Sequence, residues 1–555
     1  MKDSVRTFLL FALVAGLGYM FFFRKPDRPP GSAVPTIEAP VQGRAAEQRL
    51  RLTTPSWRGQ SSLELELSTR SGGVRALRLN GAQWRMPGQR GDARLNLATT
   101  EREEYLPLRL DVRLRRGGAS SESAVPAFVD FQQARQVSPQ EVELTWQGND
   151  VEVVRTVRAV RPFTLDLSTR VTNRGAPGTL EHRVPVYHWV TRAEEAGKFF
   201  QRPWQLSEGM CRHGDELWRE GREKLQERAA ESVFAGNSSF AAIGNLYFSM
   251  ALVPRGNAEA QCRLWALDLP NSDDAAGSVY HASIGWSAQP LGTGENRTFE
   301  ATAFFGPKDT HILAQATSDA RLRDVQNLGF FAFIARGLMR FLAFLQGLVK
   351  NWGVAIILLT VCIRILLLPL LHKSMKSMVG MQILKPELDE INKKFETNPE
   401  AKMMATMELY RRHGVSPWTG CLPQFAQLPI WWALYTTLQT SVELFHAPFA
   451  LWLRDLSAPD PFYLLPLLLG GFMILQSRLF PPQGMDPVQA KMMTWFLPIF
   501  LTGISLFLPA GLALYMLVNS VLGIFQQWYT KRAMDRAKAG MGGGGSGDIQ
   551  IRPAS

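Results

Sequence analysis

The sequence predicts a polytopic α-helical membrane protein of six spans, with a large all-β domain inserted after the first span. Three observations carry this prediction. Residues from about 352 to 530 contain long runs without charge, of the length a bilayer demands. Residues 46 to 325 are charge-rich, and apolar and polar residues alternate within them, the pattern of antiparallel strands with one wet face. The averages over all 555 residues, 20 % charged and 46 % hydrophobic, conceal that split. The apolar content excludes a disordered chain, and its segregation excludes a purely soluble one. The formal charge of +12, from 61 basic and 49 acidic residues, favours anionic partners such as membrane lipid and acidic polypeptide. No basic-aromatic motif points to nucleic acid.

Residues 1–29 read as an anchor. Thr7 to Phe23 is a run of 17 uncharged residues, about 25 Å as a helix, and it ends in three Phe and Arg24-Lys25-Pro26 rather than a small-residue cleavage site. Residues 30–45 (PGSAVPTIEAPVQGRA) read as a linker. Residues 46–325 form the β domain, with strands expected at SLELELSTR, EVELTW (141–146), VEVVRTV (151–157) and FTLDLSTRV (163–171). Residues 326–350 contain the Phe- and Leu-rich stretch Phe330 to Lys350, broken by Arg336 and Arg340. It reads as an amphipathic helix lying in the membrane interface, or else as a core helix of the β domain.

Residues 351–532 hold the remaining spans, at about 352–371, 422–442, 461–477, 492–508 and 511–530. Met492 to Thr530 is 39 residues without charge, about 58 Å as one helix. That is twice a bilayer core, so the chain must reverse at Pro509-Ala510-Gly511. The intervening segment 372–417 reads as a helical hairpin. Its seam is expected at Met381, Leu384, Leu388, Ile391 and Phe395 on one side and Met403, Met407 and Tyr410 on the other, with Pro386 either kinking the first helix or marking its start. Met375, Met378 and Met404 add flexible thioethers suited to binding varied apolar segments. Residues 533–555 read as a flexible tail. The hairpin carries Lys373, Lys376, Lys385, Lys393, Lys394, Lys402, Arg411 and Arg412, and the tail begins with Lys531, Arg532, Arg536 and Lys538. The positive-inside rule therefore puts both termini and the hairpin in the cytoplasm and the β domain outside. Arg24, Lys25 and Arg28 after the first span oppose this locally, and the later asymmetry outweighs them.

Catalytic motifs are missing from the chain. There is no HExxH helix and no GxSxG elbow, and Gly197-Lys198 lacks the rest of a P-loop. Cys211, Cys262, Cys362 and Cys421 form no CxxC pair, so neither a metal nor a cofactor is expected. Cys211 and Cys262 fall in an oxidising compartment on this topology; their spacing leaves open whether they pair. One charge stands out. Arg364 lies roughly 18 Å into its span, with no carboxylate in any span to neutralise it. It either snorkels to the headgroups or points into a wet cavity between helices. Thr360, Gln424, Gln427, Thr436, Thr437, Gln439, Gln476, Thr502, Ser505 and Asn519 supply polar lining for such a cavity, although each alone reads equally as an interhelical hydrogen bond. Pro369, Pro429, Pro466 and Pro498 are expected to kink or open the helices.

These residues resemble the YidC/Oxa/Albino family of membrane protein insertases. SPWTGCLPQFAQLPIWWALYTTLQTSVELFHAPFALWLRDLSAPDPFYLLPLLLG (416–470) is similar to the family's third span, outer loop and fourth span, VCIRILLLPL (361–370) to its second, and LPAGLALYMLVNSVLGIFQQW (508–528) to its last. FFGPK (304–308) resembles the end of the periplasmic domain of the Gram-negative branch. The resemblance implies a five-helix insertase core, a periplasmic β-supersandwich and a location in the bacterial inner membrane. It implies nascent membrane proteins as substrates, with the Sec translocon and the ribosome as partners. It implies a substrate groove with Arg364 and Thr360 on its floor, to which the polar lining read above adds Gln424 and Gln427; where relatives often show two aromatics this chain has Tyr515-Met516, which leaves open which of the two faces the groove. The resemblance carries Trp431, Leu469 and Ile504 onto substrate-helix contacts, and the thioethers of Met375, Met378 and Met404 read as recruiting substrate to the hairpin. Two rivals differ in class. A secondary transporter for an anionic solute would use Arg364 as its site and predicts internal repeats. A carbohydrate enzyme in the β domain would need carboxylates or His182, His188 and His213 to converge.

Overall fold

A computed structural model describes residues 46–541 except 58–59, 62, 82–83, 85–93, 118–122, 149, 192–206, 228–232, 235, 257–258, 270–276, 318–319, 397, 415–416 and 481–490, and describes no side chains for 60–61, 233–234, 320, 371–383, 385, 399, 415–428, 530–531 and 533–541. The expected first span, the linker and the end of the tail lie outside the described residues. The chain divides into two compact units.

The first unit ends at Asn327 and also takes in Thr440–Phe445. The alternating stretches all form strands: Leu63–Ser68, Glu141–Gly148, Val151–Arg161 and Thr164–Asn173. Val142, Leu144, Trp146, Val151, Val153 and Val157 turn inward while their neighbours stay partly exposed, as a period of two requires. Asp150, with φ of 59°, takes the left-handed turn between the second and third of these strands. Among the described residues the larger sheet has nine strands. In spatial order they are Glu216–Gly221, Glu208–His213, Ser238–Gly244, Phe248–Arg255, Asn296–Pro307, Thr164–Asn173, Val151–Arg161, Glu141–Gly148 and Gln133–Ser138. A second sheet has five: Val233–Phe234, Ala260–Leu269, Gly277–Leu291, Gly178–Thr191 and Asp111–Arg115. All pairings in both are antiparallel. Leu144, Val153, Phe304, Met210, Leu264 and Ile284, drawn from both sheets, share one core.

Cys211 and Cys262 form a disulfide, with Cα atoms 6.1 Å apart, and so staple the larger sheet to the smaller. This resolves a pairing that spacing left open. Val442 and Phe445 belong to the same core. The Phe445 ring lies 5.1 Å from Tyr247 and 5.6 Å from Phe248, so a segment expected to be plain outer loop is an apolar peg in the β unit. Beside it, burial and the neighbouring Asp309 carboxylate raise the pKa of Glu443.

In the second unit the helices are α1 (Ala332–Val349), α2 (Trp352–Ile383), α3 (Lys385–Lys394), α4 (Pro399–Arg412), α5 (Pro417–Thr440), α6 (Leu464–Leu479), α7 (Leu497–Ser505) and α8 (Ala510–Met541). Among the described residues three segments are long and apolar enough to cross a membrane, Ala332–Val349, Trp352–Leu370 and Ala510–Tyr529; Leu464–Leu479 and Met492–Ser505 are shorter apolar helices. α1 buries Ala335, Met339 and Leu342 at spacings of four and three, the first two in one cluster with Leu328 and Ala433, while Phe333, Phe344 and Leu348 remain exposed. The opposite face is thus apolar as well as basic. The helix is interrupted between Ser505 and Ala510, where α7 ends and α8 begins.

Several sequence expectations need correction. Met403 and Met407 are exposed at 65 % and 59 %; Leu409, not these methionines, is the buried residue of α4. A helix has one inward stripe, and here 409 lies on it while 403 and 407 lie off it. Pro386 opens α3 within its first turn, where its missing N–H costs nothing; it marks a start and not a kink. Pro466 likewise sits in the first turn of α6, whereas Pro369 and Pro429 lie in helix interiors and Pro498 lies within the Met492–Ser505 helix just after its π-helical turn. Met492–Phe496 is a π-helical turn leading into α7. α8 continues as helix to Met541, which shortens the expected tail.

Candidate functional site

Arg364 is the centre of a polar constellation between α2 and α8. Its Nε donates to Asn519 Oδ1 at 2.8 Å, one terminal nitrogen donates to the Asn519 carbonyl at 2.7 Å, and the other donates to Gln526 Oε1 at 3.2 Å. Asn519, Gly523 and Gln526 are spaced by four and three residues, which aligns them on one face of α8. Gly523 keeps that face open: a Cβ there would stand 3.2 Å from an Arg364 nitrogen and 3.5 Å from Gln476 Nε2. Gln476 of α6 in turn donates to Gln527 Oε1 at 3.2 Å. The half-buried guanidinium is therefore held by neutral acceptors, consistent with spans that offer no carboxylate. It turns sideways onto a neighbouring helix. A positive charge surrounded by amides keeps its field, whereas an ion pair would cancel it.

The other predicted lining residues divide. Tyr515 is fully buried and within electrostatic range of Arg364, while Met516 is half-buried. Thr360 is buried, and its hydroxyl donates to its own helix at the Ile356 carbonyl (2.7 Å). Thr502, Ser505 and Ser520 bond the carbonyls of Pro498, Thr502 and Met516, and Thr437 donates to Ala335 O at 3.3 Å. These hydroxyls satisfy backbone inside helices. Gln424 and Gln427 lie on α5, with side chains outside the described set. Trp431 is half-buried and stacks on Tyr435, centroids 6.0 Å apart. Leu469 is buried at 1 % exposure, and Ile504 is half-buried. Met404 is exposed at 72 %. Met375 and Met378 lie on the long C-terminal extension of α2, without described side chains. Gln526 and Gln527 escaped the sequence reading. Their signal was present, since Gln526 repeats the Asn519 face two turns later.

One end of the bundle is closed by the connection from 446 to 460. Asp460 is buried and accepts from Trp452 Nε1 (3.0 Å) and from the Leu465 amide (2.7 Å), fixing the start of α6. His446 Nδ1 pairs with Asp455 at 2.7 Å, and Ser457 donates to the same carboxylate. The Ala510 and Gly511 amides donate to the carbonyls of Ala458 and Leu456, which stitches this connection to the start of α8. Among the described residues no group of three or more His, Cys, Asp or Glu side chains is placed to hold a metal.

Comparison with known proteins gives a consistent result. The family described as 60Kd inner membrane protein matches residues 344–538, and the one described as YidC periplasmic domain matches residues 60–341. The membrane protein insertase YidC of Anaeromyxobacter dehalogenans is 34 % identical over 469 residues, covering 84 % of this chain and 82 % of that protein. That of Geobacter sulfurreducens is 46 % identical over 250 residues, covering 45 % and 46 %. A crystal structure of an active YidC insertase with its first transmembrane domain resolved is 18 % identical, covering 94 % of this chain and 98 % of that one at a TM-score of 0.37. The solute-transporter reading finds no support in these matches.

Proposed function

Because this chain belongs to the YidC family of membrane protein insertases and carries that family's periplasmic domain, we propose that it inserts nascent membrane proteins into the bacterial inner membrane through a polar groove floored by Arg364. The single observation that supports the groove is the guanidinium held by Asn519 and Gln526, with no carboxylate partner among the described residues. A hydrophilic, often acidic, flank of the substrate enters beside this charge. Polar lining replaces part of its lost hydration and lowers the barrier to crossing. The substrate's apolar helix then leaves into lipid past Trp431, Leu469 and Ile504, driven by burial of about 20 apolar residues. No covalent step, nucleotide or cofactor takes part.

In this reading the chain has six spans with both termini and the hairpin in the cytoplasm. α1 lies at the outer interface. The hairpin receives substrate through Met375, Met378 and Met404, and the protein works alone or with the Sec translocon on chains leaving the ribosome. Photo-crosslinkers placed at Trp431 and Ile504 test it. Adducts with a stalled nascent membrane protein are expected at both positions and not at lipid-facing Phe525. Absence of adducts from a normally expressed protein overturns the groove.

A further inference from the structure

The outer face of the five-stranded sheet carries a cavity of about 150 Å³ lined by Glu181, Arg183, Gln261, Arg263, Ser283 and Gly285, among others. Register explains the gathering. Arg263 stands opposite Ser283 and Arg183 opposite Gly285, so two guanidiniums reach the cavity from the strands on either side of Gly277–Leu291. A Cβ at Gly285 would stand 2.8 Å from Arg183 Cγ; the glycine makes the space over which that side chain lies. Ser283 is held from below by His281 Nε2 at 3.0 Å, and Gln261 donates to Ser287 at 3.3 Å.

The charges are unevenly satisfied. Arg183 pairs with Glu181 at 3.8 Å and Arg113 with Asp111 at 3.6 Å. Arg263 makes no hydrogen bond or ion pair among the described residues. It is half-buried, and burial, then Arg183 and Arg113, lower its pKa. Three guanidiniums against two carboxylates leave one positive charge, which a monoanion neutralises and a dianion overshoots. Trp286 also lines the cavity, but its ring is buried and stacked on His182, and Trp265 is buried and stacked on His281, so the polar lining is dominated by the two guanidiniums.

We propose that this cavity binds one carboxylate, the side chain of an acidic residue in an extended polypeptide, between Arg183 and Arg263. A carboxylate accepts from two guanidiniums at once, and charge-assisted bonds of this kind are the strong ones. The volume suits one short side chain. The polypeptide source rests on the insertase reading; the carboxylate pocket does not.

The test is protection of Arg263 from phenylglyoxal in the full chain in lipid nanodiscs, read by peptide mass spectrometry. N-acetyl-aspartate at four times its half-saturating concentration is expected to slow modification of Arg263 about five-fold, and N-acetyl-asparagine to have no effect. Arg183→Gln weakens the protection, and Glu181→Gln, which removes the resident competitor, strengthens it. No protection by either N-acetyl-aspartate or glucuronate, or stronger protection by inorganic phosphate, overturns the site. Protection by glucuronate without protection by N-acetyl-aspartate overturns the peptide source. If the crosslinking experiment fails while N-acetyl-aspartate protects, the pocket stands and the groove falls.

Discussion

Replacing Arg364 separates two roles that the structure combines. The guanidinium joins α2 to α8 through three hydrogen bonds, and it places a positive charge where no carboxylate opposes it. Each charge-assisted bond is worth roughly 1.5–3 kcal/mol. One rigid plane makes all three, so they are not independent, and Arg364→Ala should loosen that helix pair by about 3–5 kcal/mol. This loss is the same for every substrate. The charge acts differently: on a carboxylate about 4 Å away it contributes about 1–4 kcal/mol between the limits of water and protein surface. That corresponds to roughly five-fold to several hundred-fold in rate. The assay is insertion into proteoliposomes of paired substrates that differ only in an acidic or a neutralised flank, with wild type, Arg364→Lys and Arg364→Ala at matched protein levels. The ratio of the two rates cancels the structural loss. It should fall at least five-fold in the Ala variant and little in the Lys variant, which keeps the charge but not the fork. Asn519→Asp retains the acceptor and adds a negative charge, so it should lower the acidic substrate's rate while sparing the neutral one. Equal ratios in wild type, Lys and Ala proteins would remove the charge from the mechanism and leave Arg364 a helix clamp.

Three further expectations concern the β unit. Burial lowers the pKa of His182 to about 4; because the folded value lies below the unfolded one, this contribution is intact above pH 6.5 and is lost as pH falls towards 4, about 3 kcal/mol in all. Thermal unfolding across that window should show wild type losing more than His182→Phe, and parallel profiles would refute it. Arg155 is fully buried with its three guanidinium nitrogens unpartnered, so Arg155→Met should raise stability by roughly 1–3 kcal/mol in urea titrations, and a loss would show that the charge has a use in the core. Cys211 and Cys262 close a loop of 51 residues, so the Cys211→Ser, Cys262→Ser double variant, or reductant, should cost about 4 kcal/mol by the chain-entropy relation; unchanged unfolding would contradict the bond's contribution.

The amino-acid sequence alone determined what depends on short-range pattern. Alternation along Val142 to Val157 specified strands, because the side-chain period of a strand is two whatever it pairs with. The uncharged run from Met492 to Thr530 specified two helices rather than one, because its length exceeds a bilayer. Arg364 was legible as the exceptional charge of its span because a lone charge there is costly for any fold. Tertiary structure decided everything that depends on which distant residues meet. It chose Asn519 and Gln526 as the acceptors of Arg364, paired Cys211 with Cys262, and put Phe445 into the β core. It also set Leu409 rather than Met403 or Met407 in the buried stripe of the hairpin, since a stepping pattern of three and four fits several neighbouring stripes. Thr360, Thr502 and Ser505 looked like groove lining, yet their hydroxyls bond carbonyls of their own helices. A hydroxyl has a local partner in any helix, and only the packed neighbours decide whether it needs another.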